Sequence, residues 1–261
     1  MSISHLMEIR AFILSVEKIP RNIKLIEVLN LLGIQFEIIT GATPDLAFEY
    51  SQQKEFHGQY REEMSKEEMA VTYGHRLMFL SALKSSEKYF LFFEDDAVVD
   101  VKNFNELLNT VKVIPKGLIL LGACGGFARK FKTIGNMQVL KTIGNTALGS
   151  HAYLVDKESI PDLLLGTEGC KFLADHFARR KTRQYVVLPY CAKQLTDSFT
   201  YVPKISAGFK RSRIRNMLAP LKMDLIDYFH TGICGGRFLR LAVVEKFFAI
   251  FLVKLPGCTL D

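Results

Sequence analysis

The chain lacks any C-x-x-C pair: its five cysteines, Cys124, Cys170, Cys191, Cys234 and Cys258, are scattered and odd in number. That excludes a closed disulfide framework and argues against a structural zinc site, so reduced, mostly buried thiols in a reducing compartment are expected. No run of about 20 apolar residues is free of charges, because Arg240, Glu245, Lys246 and Lys254 interrupt the apolar stretch 238–255; a membrane-spanning helix is therefore not expected. The first ten residues carry His5 and Glu8 without a long apolar core, which does not read as a cleaved signal peptide. There is no internal repeat and no low-complexity tract. No Walker loop, G-x-G-x-x-G fingerprint, G-x-S-x-G elbow or H-E-x-x-H helix occurs, which argues against ATPases, Rossmann dehydrogenases, α/β-hydrolases and zincins.

What is present is an ordinary globular composition. The 261 residues are 49% hydrophobic and 23% charged, enough for one large or two small domains with a sizeable core. The formal charge of +7 is modest for this length, and no nucleic-acid partner is expected. It is concentrated, however, in the stretch 204–222, where Lys204, Lys210, Arg211, Arg213, Arg215 and Lys222 occur without an acidic residue. Such a stretch is either a solvated face or a footprint for phosphates, acidic lipids or acidic saccharides.

The pattern predicts an α/β fold. Residues 9–16 form a short apolar run that suits a buried first strand. Residues 21–32 carry an apolar stripe at helical spacing that Gly33 would terminate as a left-handed cap, and 34–40 read as a second strand. This strand–helix–strand order is the signature of a parallel sheet. Residues 41–63 are polar and aperiodic and read as a long surface loop. Ser65-Lys66-Glu67-Glu68 is a capping-box pattern opening a helix that should run through His75 to about residue 83. Residues 89–93 make a central strand, 118–121 another, 127–146 a loop or hairpin insertion and 152–155 a further strand. Helices are expected over 157–165 and 171–180, the latter containing Asp175 and His176, and a late strand over 186–188. The stretch 238–255 reads as an amphipathic or core-packed helix.

The chemistry begins at Glu94-Asp95-Asp96. Three like charges closing an apolar strand are unfavourable unless a cation or proton relieves them, and ligands in open α/β sheets bind beyond the carboxyl ends of the strands. Hard oxygen ligands suit Mg²⁺ or Mn²⁺, which one or two carboxylates hold together with substrate phosphates. The plain alternative is an acidic turn that caps a helix. Asp175 offers a general base with His176 to orient it, or both belong to a helix surface; His75 is a ligand or a core imidazole.

Taken in order, these segments resemble glycosyltransferase family 25, the bacterial lipopolysaccharide and lipo-oligosaccharide galactosyltransferases and the collagen galactosyltransferases. The resemblance spans about residues 9–198. Arg21 precedes Leu32-Gly33-Ile34-Gln35-Phe36-Glu37, which matches the family's L-G-I-x-F-E. The G-E-I-G-C-x-L-S-H helix survives in outline at 67–75, keeping the Glu and the His but not the Gly, Cys and Ser. L-E-D-D is similar to Phe93-Glu94-Asp95-Asp96, G-T-x-A-Y to Gly149-Ser150-His151-Ala152-Tyr153, and P-V-D-x-F to Leu173-Ala174-Asp175-His176-Phe177. The usual N-L closing the first strand is Leu14-Ser15, and the Arg near position 17 is replaced by Glu17-Lys18.

The resemblance implies a GT-A-like, Rossmann-like nucleotide-sugar domain over residues 1–200, followed by a basic, helical extension over 201–261. It implies metal-dependent, inverting transfer of a hexose, foremost galactose from UDP-galactose and next glucose, onto a lipopolysaccharide or lipo-oligosaccharide acceptor. Asp96, with Glu94 or Asp95, would hold Mn²⁺ or Mg²⁺ against the donor diphosphate. Asp175 would deprotonate the acceptor, and Ser15, Arg21 and His75 would shape the donor site. The basic extension would attract an anionic leaflet, giving a cytoplasmic enzyme peripheral on the inner face of the membrane. Rival readings are a catalytically inactive saccharide- or nucleotide-binding scaffold and a metal-dependent phosphohydrolase.

Overall fold

A computed structural model describes residues 8–16, 23–53, 64–123, 126–142, 149–170, 172–175, 182–195 and 253–255. Its centre is a nine-stranded sheet. Strand β1 (Ile9–Ser15) is apolar on both faces and buried along most of its length, as a central strand must be. It leads to helix α1 (Ile23–Leu31), which buries Leu25 and Leu29 at i, i+4 spacing. Gly33 then turns the chain at φ +66°, the left-handed position expected of it, into β2 (Gln35–Thr40). β2 pairs parallel with β1, so the first strand–helix–strand unit is the predicted one.

The expected loop over 41–63 is partly a helix, α2 (Pro44–Gln53). Thr43 accepts the Leu46 amide at its hydroxyl (3.3 Å), and proline occupies the first helical position, where no N–H is required. Helix α2 docks through buried Ala47, and Tyr50 lies 4.6 Å in ring-centre distance from Tyr73 of the next helix. So few apolar positions gave the helix no visible stripe; its start was encoded in the cap. Helix α3 (Lys66–Lys84) has the predicted capping box: the Ser65 hydroxyl accepts the Glu68 amide at 3.2 Å, and the Glu68 carboxylate accepts the Ser65 amide at 2.8 Å. Caps of this kind contribute about 1 kcal/mol. The helix presses on β1 at Gly74, where a Cβ would lie 2.7 Å from the Leu14 side chain.

Strand β3 (Tyr89–Glu94) pairs parallel with β1 and ends at the Asp95-Asp96 turn into β4 (Ala97–Val99). Helix α4 (Val101–Thr110) follows, capped by Asp100 and burying Phe104, Leu107 and Leu108 on one face. Then come β5 (Leu118–Leu120), the hairpin β6 (Gly126–Ile134) and β7 (Met137–Thr142), and β8 (Ala152–Asp156). A 3₁₀ turn precedes α5 (Ile160–Gly166), and β9 (Gln184–Leu188), β10 (Ala192–Gln194) and β11 (Val253–Leu255) complete the elements. The strand order is β11-β6-β7-β9-β5-β8-β3-β1-β2, and β10 pairs with β4 in a small second sheet.

The sheet is mixed rather than wholly parallel. β8 lies antiparallel between β3 and β5, because it begins at the carboxyl ends of both, with Ala152 beside Phe93 and Tyr153 beside Leu120. The helix expected over 171–180 is absent from its described part. Gly169 and Cys170 adopt φ +63° and +46° just ahead of it, and 172–175 form bends and turns; 171 and 176–180, with His176, lie outside the described residues. The helix expected over 238–255 is corrected at its end, where β11 pairs antiparallel with the start of β6 and so extends the sheet. The basic stretch 204–222 and the rest of the extension lie outside the described residues.

Both faces of the sheet are covered. One carries α1 and α4 over Ile13, Phe93, Val139 and Val187; the other carries α3 and α5 over Phe12, Phe92, Tyr153 and Val186. On the second face Phe12 stacks on Phe92 at 5.7 Å, and Phe92 on Tyr153 at 5.2 Å. Each such ring contributes about 1.5–3 kcal/mol by leaving water. Cys170 and Cys191 are buried free thiols, and burial, with Asp100 and Glu106 nearby, pushes the Cys191 thiol up to about 12. Cys191 therefore serves as packing.

Candidate active site

The parallel pairing of β1 with β3 fixes where the acidic turn lies. Register places Leu14 beside Glu94, so Ser15 and the Asp95-Asp96 turn leave the sheet together at the carboxyl ends of both strands. Backbone bonds hold the turn: the Asp95 amide donates to the Leu14 carbonyl (3.0 Å), the Glu94 amide to the His151 carbonyl (2.9 Å), and the Leu195 amide to the Asp96 carbonyl (2.9 Å).

The three carboxylates point to different partners. The Ser15 hydroxyl donates to Asp95 Oδ2 at 2.7 Å, and the Gln194 amide donates to Asp96 Oδ2 at 3.0 Å; both aspartates are buried. Glu94 Oε1 accepts the Ser150 hydroxyl at 2.5 Å and lies 3.2 Å from His75 Nε2. A carboxylate only accepts, so Nε2–H is the donor. His75 Nδ1 meets the Tyr153 hydroxyl at 2.7 Å inside the core. Spreading the charges over separate donors relieves the repulsion that the sequence presents at this turn.

Asp175 joins the same edge. Its Oδ1 accepts two backbone amides, Gly149 at 3.1 Å and Ser150 at 2.7 Å. Ser150 therefore holds Asp175 with its amide and Glu94 with its hydroxyl, linking two carboxylates 81 positions apart in the chain through one residue. The full path runs Tyr153, His75, Glu94, Ser150, Asp175. Asp175 is half-buried, whereas His75 is fully buried and supports Glu94 from below. Gly122 and Gly149 let the backbones meet here: a Cβ on Gly149 (φ +153°) would lie 2.6 Å from the Gly122 carbonyl oxygen.

Burial pushes the Glu94 carboxyl up, but the hydrogen bond and charge of His75, the Ser150 hydroxyl and the His151 charge together hold it below its ordinary value of 4.5. A depressed carboxyl stabilises the fold above its unfolded value and loses that contribution as pH falls through the folded one. Glu94→Gln should lower stability at pH 7 by about 2 kcal/mol, the scale of hydrogen bonds to a charged group. The gap from the native chain should shrink below about pH 4.5, in urea unfolding midpoints followed from pH 7 to 3. A gap that stays constant would remove the charge argument.

The structure thus brings Ser15, His75, Glu94, Asp95, Asp96 and Asp175 to one sheet edge, while Arg21 lies outside the described residues. Sequence reasoning missed Ser150, Tyr153, Gln194 and Gly122 as participants. Ser150 and Tyr153 sat within the 149–153 motif; Gln194, 98 positions from Asp96, left no local signal. Among the described residues no group of three His, Cys, Asp or Glu side chains forms a protein cage for a metal ion. The carboxylate donors at the turn suit a hard cation that needs only one or two of them beside substrate phosphates.

The chain matches the model of glycosyltransferase family 25 (LPS biosynthesis protein) over residues 8–199 and belongs to that family. It is therefore an enzyme of sugar transfer, with a sugar donor and a saccharide acceptor. No curated protein matches it. Among solved structures it is similar to A197 from STIV, with 14% identity, 69% of this chain and 81% of that one covered, and a TM-score of 0.40. It is also similar to a protein described as mannose-1-phosphate geranyltransferase from Thermus thermophilus, with 12% identity, 69% and 74% covered, and a TM-score of 0.41. A glycosyltransferase involved in glycosylation of the major capsid of PBCV-1 gives 14% identity, 61% and 65% covered, and a TM-score of 0.33. These likenesses are too distant to bear on substrate. No helix among the described residues is long and apolar enough to cross a membrane.

Proposed function

We propose that the chain transfers galactose from UDP-galactose, with inversion, to a hydroxyl of a lipopolysaccharide or lipo-oligosaccharide acceptor, glucose being the alternative sugar. The observation that carries this reading is the Ser150 bridge, which holds Asp175 and the acidic turn at one edge of the sheet. Inverting transfer needs two such groups, a base on the acceptor side and a stabiliser of the leaving diphosphate.

In this reading Asp175 takes the proton from the acceptor hydroxyl as that oxygen attacks the anomeric carbon and the bond to UDP breaks. The backbone amides fix Oδ1, which leaves Oδ2 to receive the proton. Asp96, oriented by Gln194, would hold Mn²⁺ or Mg²⁺ together with the donor phosphates. Such an ion, when bound, acts as a Lewis acid that offsets the charge developing on UDP. Ser15 and His75 set the directions of Asp95 and Glu94, so their contribution to the donor site runs through those carboxylates. One displacement inverts the anomeric configuration. The test is UDP release that requires both a truncated lipo-oligosaccharide and Mn²⁺ and that Asp96→Ala abolishes. Peripheral attachment to the inner membrane face, by the basic extension, belongs to the same proposal and would place the enzyme beside a lipid-anchored acceptor.

A further inference from the structure

The geometry points to the β6–β7 hairpin as a docking surface for an anionic lipid bilayer. Between Glu106 and Asp156 the chain carries no acidic residue, and the hairpin lies wholly within that interval. Register sets Arg129 directly opposite Lys141, and directly opposed residues share a face with Cβ atoms about 5 Å apart. Two cations so placed repel each other. The same face receives Lys132, which pairs with Val139, and Phe131, because a bulge between Lys130 and Lys132 breaks the alternation. Arg129, Lys130 and Lys132 are exposed, and Phe131 is 51% exposed while its ring leans on Tyr185 at 5.1 Å.

One carboxylate reaches the hairpin among the described residues, Glu106, and its Oε1 is taken up by the Asn136 amide at 2.8 Å. No ion pair among the described residues involves Arg129, Lys130, Lys132 or Lys141. The Lys132 ammonium reaches only the Val113 carbonyl, at 3.4 Å. Opposed cations that form no ion pair among the described residues are relieved by an external anion, and a half-exposed phenyl ring among them fits a headgroup layer with apolar chains beneath.

The exposed Phe131 ring among the cations favours a bilayer over a soluble anion, which offers it no apolar partner. β11 pairs with the start of β6, Val253 opposite Ala128 and Lys254 opposite Phe127, which adds one more basic residue and two apolar ones beside the hairpin. The hairpin turn, Gly135 and Asn136, emerges at the same end of the sheet as Glu94, since β6 runs parallel to β1 through the chain of pairings. A bilayer against this hairpin would therefore lie on the side from which a lipid-anchored acceptor enters.

The experiment is co-sedimentation of the full chain with vesicles of phosphatidylglycerol and phosphatidylcholine, or phosphatidylcholine alone, without any sugar donor or acceptor. The native chain should bind only the anionic vesicles, and less as salt rises. Arg129→Gln/Lys132→Gln should lower the partition coefficient about thirtyfold, from about fivefold for each cation near an anionic surface. Lys24→Gln/Lys84→Gln, which removes the same charge from exposed positions elsewhere, should change it far less. Matching thermal midpoints would show that the variants remain folded. Partition unchanged in the hairpin variant, or equal losses in both variants, would overturn the assignment, as would a native chain that ignores anionic vesicles. A hairpin variant that binds vesicles normally but raises the KM for a saccharide acceptor would make the surface a glycan site instead. Because partition is read without sugar transfer, its failure is separate from any failure of the proposed reaction.

Discussion

Asp175→Asn should lower acceptor-dependent transfer by about 10²–10⁴-fold, the usual contribution of a positioned general base. The substitution suits the question because the Asn side-chain oxygen can still accept the Gly149 and Ser150 amides that now hold Asp175 Oδ1. The loop and its link to Glu94 stay in place while the basic oxygen is lost. Donor affinity, measured by UDP titration, should therefore change little, and the thermal midpoint should hold. An equal fall in UDP affinity and turnover would mean that Asp175 belongs to the donor site. Turnover near the native rate would remove it as the base.

Gly122→Ala should be strongly destabilising. Its Cβ would overlap the Ala192 carbonyl oxygen and lie 2.6 Å from His151 Nε2, which is buried and has no hydrogen-bond partner among the described residues. Neither neighbour can step aside cheaply. The Ala192 amide donates to the Leu121 carbonyl at 3.0 Å, and the His151 carbonyl accepts the Glu94 amide at the acidic turn. Overpacking against fixed backbone costs about 3 kcal/mol, which in a chain of this size lowers the thermal midpoint by about 10 °C. The shift would be passed to Glu94 through His151, so transfer should fall more than global stability requires. Calorimetry beside an activity assay at about 20 °C, well below the unfolding transition, separates the two effects, and a midpoint within about 2 °C of native would contradict the packing argument.

These two positions mark how far the sequence could be read. Asp175 was visible because a carboxylate in a family-like segment carries its chemistry in its side chain. Its mode of attachment was not, since the bonds come from backbone amides 25 and 26 positions away. The strand ends were legible for a similar reason: uninterrupted apolar runs at 9–15 and 89–93 admit little besides a central strand, and parallel pairing then delivers Ser15 and the acidic turn to one edge. The Ser65 capping box and the Gly33 turn were equally local signals. Helix α2 was hidden because it packs through few apolar residues, and the helix expected at 171–180 is not formed over its described part, 172–175, where bends and turns stand instead. The mixed direction of the sheet was hidden too. It depends on the end of the sheet at which β8 begins, and strand periodicity is the same in either direction.

The acidic turn shows how residue types and their geometry combine. Three adjacent carboxylates in the sequence suggested one shared cation. In the fold they separate, Glu94 toward His75 and Ser150, Asp95 toward Ser15 and Asp96 toward Gln194. In the proposed reading Asp96 is the metal ligand, while Glu94 and Asp95 fix the turn. A shared three-carboxylate site would make the three alanine variants equally inactive. In the divided arrangement Asp96→Ala loses metal-dependent turnover at a nearly native thermal midpoint, while Glu94→Ala loses stability first.

The central claim is most directly tested by measuring UDP release from UDP-galactose and UDP-glucose by the native chain and by Asp96→Ala, with and without Mn²⁺ and a truncated lipo-oligosaccharide. Release from UDP-galactose should rise with acceptor, require Mn²⁺ and disappear in Asp96→Ala. Binding of UDP without release from either donor would mark an inactive scaffold. Phosphate release from simple esters without any saccharide would mark a phosphohydrolase, and either result would contradict sugar transfer at this site.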